Sequence, residues 1–145
     1  MKQGILVKQA AMHPLSLVDS LAKNFVQEDF ILANNYDNLD VLAFRMNNLS
    51  RLPAGLTRPV YTIFAGGDCA FIVAMKENSS LLKPVAAGAA EVKERDLKIL
   101  KEVIFQGLLD LHPEQQDDFI ITDDIKSALQ SVDQGQYQYL FILNN

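Results

Sequence analysis

Residues 60–75 read VYTIFAGGDCAFIVAM, and the fold class turns on this stretch. Val60 to Ala65 and Cys69 to Met75 are runs of apolar, β-branched and aromatic residues, the composition of strands. Between them stand Gly66, Gly67 and Asp68. That is turn chemistry, because glycine takes positive φ without a Cβ clash. The pair therefore predicts a β-hairpin. Both runs are apolar at nearly every position rather than at alternate ones. One buried face cannot account for that, so the hairpin is expected either to be covered on both sides or to lie in an oligomer contact.

Downstream, the last third reads as strand–helix–strand. Phe119 to Ile121 is extended, with Thr122 or Asp123 as a helix cap. Ile125, Ala128, Leu129 and Val132 recur at helical spacing, and Gly135 suits a C-terminal cap. Tyr137 to Leu143 is a nearly continuous apolar strand, as a central position requires. Between this unit and the hairpin, Glu77 to Ala90 reads as a loop containing PVAAGAA. Asp96 to Leu111 follows as a helix with Leu97, Leu100, Ile104, Leu108 and Leu111 on one stripe and Pro113 beyond its end. Gly107 costs that helix about 1 kcal/mol relative to alanine, which predicts a close neighbour there.

Upstream, Gly4 to Gln9 reads as a short strand and Ser16 as the cap of a helix running to Val26, with Leu17, Val18, Leu21, Ala22 and Phe25 on its inner face. Phe30 to Ala33 reads as a short strand. Asp37 or Asn38 caps a second helix with Leu39, Leu42, Met46 and Leu49 on one side. Leu52 to Pro59, with two prolines and a glycine, is a loop. The expected fold is α+β: a small mixed β-sheet of about four to six strands with helices packed against it.

Composition places this fold in a class. The chain has 145 residues, a common size for one domain, and splitting it would leave two marginal cores, so residues 1–145 are expected to form a single domain. Apolar residues make up 49% and charged residues 21%, the balance of a globular chain rather than a disordered one. A net charge of −5, with thirteen scattered Lys and Arg, disfavours nucleic acid as a partner. No apolar run approaches membrane-spanning length or a signal-peptide core, so no membrane partner is expected. The single cysteine, Cys69, precludes an intrachain disulfide and points to a reducing, cytoplasmic setting.

The residues that carry chemistry in other proteins find no supporting pattern here. His13 and His112 lack ligand partners at zinc spacing. The pairs Asp117–Asp118 and Asp123–Asp124 lack the glycine and spaced oxygens of a calcium loop, and solvated turn and capping roles explain them better. Cys69 opens a strand, where no helix dipole activates a thiol, and Ser79–Ser80 has no neighbouring histidine. Gly66–Gly67 is followed by a strand, not by the Lys-Ser or Lys-Thr and helix of a phosphate loop. Tyr137, Tyr139 and Phe141 alternate like a base-stacking platform, but without basic residues among them they read as buried sheet packing. No catalytic, cofactor-binding or metal residue is assigned, and no cofactor is expected.

The segments RDLKILKEVIFQGLLDL and FIITDDIKSALQSVDQGQYQYLFILN, taken together, resemble the middle region of the bacterial and archaeal domain-of-unknown-function family 1015. Upstream, DSLAKNF and RPVYTIFAGGDCAFIVAM follow the same order of helix and paired strands. The resemblance implies an excised middle domain or a short relative. That family's upstream aspartate–glycine–histidine–histidine–arginine motif has no counterpart here, so no functional residue carries over. The expected function is a non-catalytic structural, interaction or ligand-contributing module. The alternative is part of an enzyme acting on a small phosphorylated or amino-acid-like metabolite, its catalytic motif lying outside this chain. Strands apolar on both faces and few helices to cover them also predict a homo-oligomer.

Overall fold

A computed structural model describes residues 3–10, 12–77, 89–109 and 119–144 of the chain. The strands are β1 (Gly4–Val7), β2 (Phe25–Ile31), β3 (Val60–Phe64), β4 (Cys69–Met75), β5 (Phe119–Thr122) and β6 (Tyr139–Leu143). The helices are α1 (Pro14–Leu21), α2 (Leu39–Ser50), α3 (Ala89–Ile99) and α4 (Ile125–Asp133). The six strands form one sheet in the order β2-β4-β3-β6-β1-β5. Every pairing is antiparallel, so the sheet is not mixed in its ladders. The class is α+β, with helices on a sheet at the upper end of the expected size.

The hairpin forms as read. Ile63 pairs with Phe71 and Thr62 with Ile72, and Gly66 and Gly67 take φ of 106° and 84° in the turn. The covering of its faces explains the unbroken apolar runs. On one side Tyr61, Ile63, Val73, Tyr139 and Phe141 meet Leu17 and Leu21 of α1 and Leu100 and Ile104 beyond α3. On the other, Phe64, Ile72, Leu140 and Ile142 meet Leu42 and Met46 of α2 and Ala128, Leu129 and Val132 of α4. Helices of the same chain thus cover both faces. β6 lies between β3 and β1, the central position its composition requires, although the strand starts at Tyr139 and not at Tyr137. β5 and β6 both run antiparallel to β1, which separates them, and α4 links them.

Several boundaries differ from the sequence reading. α1 starts at Pro14, whose fixed φ suits the first helical turn, and its cap is His13 rather than Ser16, with Nδ1 accepting from the Leu15 N–H at 3.2 Å. It ends at Leu21. Phe25 continues the helical spacing of Leu17 and Leu21 but opens β2, so a strand runs from Phe25 to Ile31 in place of the one expected over Phe30 to Ala33. Most of β2 is exposed, and its burial pattern is too weak to read as alternation. α2 begins after Asn38, whose side chain does not cap it. Instead Oδ1 accepts from the Ala33 N–H at 2.8 Å and Nδ2 donates to the Ile31 carbonyl. Asp124, not Thr122 or Asp123, caps α4.

The third helix departs furthest. α3 is already helical at Ala89, because residues 89–96 are rich in Ala, Glu, Lys and Arg, good helix formers without an apolar period to betray them. From Leu100 to Gln106 the helix widens into π geometry, with the Gly107 N–H bonded to the Glu102 carbonyl at 3.1 Å. The buried residues become Leu100, Ile104, Phe105 and Leu109, while Leu108 is only partly covered. The close neighbour expected at Gly107 is the helix itself: a Cβ there would lie 2.5 Å from the Val103 carbonyl oxygen. Leu111 and Pro113, and most of the expected 77–90 loop, lie outside the described residues.

Candidate functional site

Between α2 and the start of α4 the chain leaves a cavity of about 520 Å³. Its apolar lining comes from both helices and the sheet: Leu39, Leu42, Ala43 and Met46 from α2, Ile125 from α4 and Ile142 from β6. Gly4 on the adjacent strand lets α4 settle here, since a Cβ would meet Ile125 Cδ1 and Leu140 Cδ1 at 3.0 Å each. The polar lining is Asp40, Asp123, Asp124 and Lys126, all exposed to solvent. Asp124 has a structural duty as well, its Oδ1 accepting from the Ser127 N–H at 3.1 Å. Its own N–H donates to Thr122 Oγ1.

Three carboxylates and one ammonium leave this lining net negative. None of the four forms an ion pair with a described residue; the ion pairs among those residues are Arg45–Glu28 and Arg95–Asp96. The lining contains no His, Cys, Ser, Thr or Tyr. Nor do the carboxylates converge: no group of three or more His, Cys, Asp or Glu among the described residues is arranged to hold a metal ion. The chemistry of the lining suits a molecule with an apolar body and a positively charged end.

A second polar assembly lies on the opposite face. Asp96 is 4% exposed, and its Oδ1 accepts from Arg95 Nε and Nη2 at 3.1 and 2.9 Å. Arg95 also donates to the Thr57 carbonyl and hydroxyl, and the Tyr61 hydroxyl donates to the Asp96 carbonyl at 2.5 Å. Burial pushes the Asp96 carboxyl up to about 6 even though Arg95 pulls it down. Burial, with the Asp96 charge behind it, also holds the Tyr61 phenol well above its ordinary value. These bonds tie α3 to β3 and to the loop before it. None of these residues lines the cavity.

A third cluster joins the hairpin turn to the helices of the cavity face. Asp133, at the end of α4, accepts from the Gly67 N–H at 2.8 Å and from the Tyr36 hydroxyl. Tyr36, in the short 3₁₀ turn Asn34–Tyr36 before α2, has φ of 57° beside Asn35 at 56°. The hydrogen bond to Asp133 pushes its phenol up to about 12. Two consecutive left-handed residues are costly for L side chains, and the bond to Asp133 holds them in place.

The residues singled out from the sequence scatter. Cys69 is half-buried, and burial first, then the charges of Asp29 and Asp68, push its thiol up, the reverse of activation. His13 caps α1, far in sequence and in role from the cavity. Tyr139 and Phe141 are buried in the sheet, with ring centroids 5.7 Å apart. His112, Ser79, Ser80, Asp117 and Asp118 lie outside the described residues. Of these residues that the structure describes, only Asp123 and Asp124 line the cavity. Their partners there, Asp40 and Lys126, carried no local signal, being ordinary charges on helix surfaces.

No helix among the described residues is long and apolar enough to cross a membrane. Comparison of the chain with protein-family models, with curated proteins and with solved structures finds no match in any of the three.

Proposed function

We propose that this chain is a non-catalytic, ligand-contributing domain, and that the cavity between α2 and α4 holds a small organic cation by its apolar part. The carrying observation is the cavity itself. Its volume of about 520 Å³ lies within the range typical of small-molecule sites, roughly 300–1,000 Å³. Its apolar lining from Leu42, Met46 and Ile142 meets carboxylates at Asp40, Asp123 and Asp124. Cytoplasmic residence and a relationship to family 1015 belong to the same reading, the first on the lone thiol Cys69 and the second on the order of elements. The enzymatic alternative loses support for phosphorylated substrates, because three carboxylates repel a phosphate at this lining. An amino-acid-like ligand keeps its ammonium group as a point of attraction. Self-association is not supported by bare sheet faces, since α1, α3, α2 and α4 cover them.

Ligand-detected NMR with matched alkyl and aryl amines, carboxylates and phosphates tests the proposal. Amines are expected to bind in preference, and Ala43→Phe, which fills the cavity from α2, is expected to abolish that binding while leaving the melting transition cooperative. Equal binding of carboxylates, or amine binding that survives Ala43→Phe, would refute the assignment.

A further inference from the structure

Two residues on the cavity face are each placed against local preference, and they meet. Tyr36, like Asn35 before it, holds left-handed backbone, which L side chains avoid. Asp133 ends α4, where the helix dipole disfavours a negative charge. The Tyr36 hydroxyl donates to one oxygen of the Asp133 carboxylate, and the Gly67 N–H donates to the other at 2.8 Å. Among the described residues, Tyr36–Asp133 is the one hydrogen bond between α4 and the segment that leads into α2. Its two ends are anchored differently. Asp133 stays tied to the hairpin turn through Gly67 when Tyr36 leaves. The Tyr36 side chain has only this bond and the packing of its ring, partly buried against the core of that face. Tyr36 is the movable end.

The segment that Tyr36 belongs to runs straight into one wall of the cavity. Leu39 and Asp40, in the first turn of α2, line it. That turn has no side-chain cap, because Asn38 is spent on Ala33 and Ile31 at the end of β2. The opposite wall, from Asp123 to Lys126, opens the helix that Asp133 ends. The bond therefore draws the α2 wall onto the α4 wall. Two left-handed residues cost about as much as one hydrogen bond to a carboxylate returns, so closed and open arrangements lie close in free energy. We infer that Tyr36 and Asp133 form a latch on the cavity, closed around a bound ligand and released for its entry and exit. The inference rests on the reading of the cavity as a ligand site. Neither residue lines the cavity, so both act by positioning its walls. Breaking the bond weakens the closed form equally whether it is occupied or empty. Entry and exit then quicken by the same factor, and affinity stays where it was.

The test follows the Met46 methyl signal of the whole chain by NMR during titration with benzylamine, whose line shapes give both rate constants. Tyr36→Phe keeps the ring and removes only the donor. It is expected to raise the entry and exit rates together by about tenfold, the effect of losing one hydrogen bond to a charged acceptor, with Kd unchanged. Asp133→Ala should raise both rates as well. The double variant should be no faster than Asp133→Ala alone, because the two changes break the same bond. If Asp133→Ala does not melt cooperatively, Tyr36→Phe decides alone. Unchanged rates in Tyr36→Phe overturn the inference, as do two effects that multiply in the double variant. So does a rise confined to the exit rate, which marks a lost ligand contact and not a latch. Absence of benzylamine binding to the parent chain overturns the cavity reading and the latch with it. Binding that Ala43→Phe abolishes, beside unchanged rates in Tyr36→Phe, removes the latch alone.

Discussion

Asp96 has the clearest consequence for a single residue. Its carboxyl titrates near 6 in the fold against an ordinary 3.8, because burial outweighs the help of Arg95. Between those values the folded chain holds a proton that the unfolded chain has released, so unfolding free energy falls as pH rises. The stabilising contribution is complete below about 4 and is lost as pH passes through 6. A shift of this size corresponds to on the order of 3 kcal/mol. Asp96→Asn keeps an oxygen for Arg95 and removes the titration. The difference in melting temperature, variant minus parent, should therefore rise from pH 4 to pH 7; a flat difference curve would show that Asp96 is not buried as described. Cys69 offers a second test. With its thiol pushed up by burial and by Asp29 and Asp68, it should react slowly with thiol reagents at pH 7, and rapid labelling of the folded chain would contradict that.

Among the elements, α3 and its π extension separate sequence reading from structure most sharply. A regular helix would bury Leu108 as the next step of the stripe Leu97, Leu100, Ile104. The π turn moves that step to Leu109, which is 2% exposed. Leu109→Ala should cost about 2–4 kcal/mol as a core truncation, and Leu108→Ala less than half as much. Gly107→Ala sharpens the comparison: in a regular exposed helix it would gain about 1 kcal/mol. Here the added Cβ meets the Val103 carbonyl, so it should destabilise. Denaturant melts of the three variants decide the matter, and a stabilised Gly107→Ala would rule out the π geometry.

For the molecule as a whole, the helices divide the labour of covering the sheet. α1 and α3 close one face and α2 and α4 the other, so the apolar strands need no second copy to leave water. Between α2 and the first turn of α4 the cover leaves the cavity, and the charges of α4's capping turn line it. The stability of the domain and the existence of its candidate site therefore share one origin. Filling the cavity with Ala43→Phe is a test of both, since added apolar contact without loss of core tends to preserve or raise stability.

The hairpin, the central β6, the inner faces of α2 and α4 and the α+β class were legible in the sequence, because they rest on local chemistry: glycine at positive φ, apolar runs, and helical spacing of leucine and valine. The ends of α1 and β2 were not, because Phe25 continues a helical stripe by coincidence while strand pairing with Met75 claims it. The π turn was not, because Gly107 marks it only through a contact with Val103 four residues back. Asp123 and Asp124 could be read as capping and turn residues, and Asp124 does cap α4. Their other role depends on Asp40 and Met46, more than seventy residues upstream in the sequence. Sequence determines which residues seek burial and which turns the backbone can make. How closely two helices approach across a sheet, and so whether a cavity opens between them, is decided only when side chains from distant segments compete for the same space.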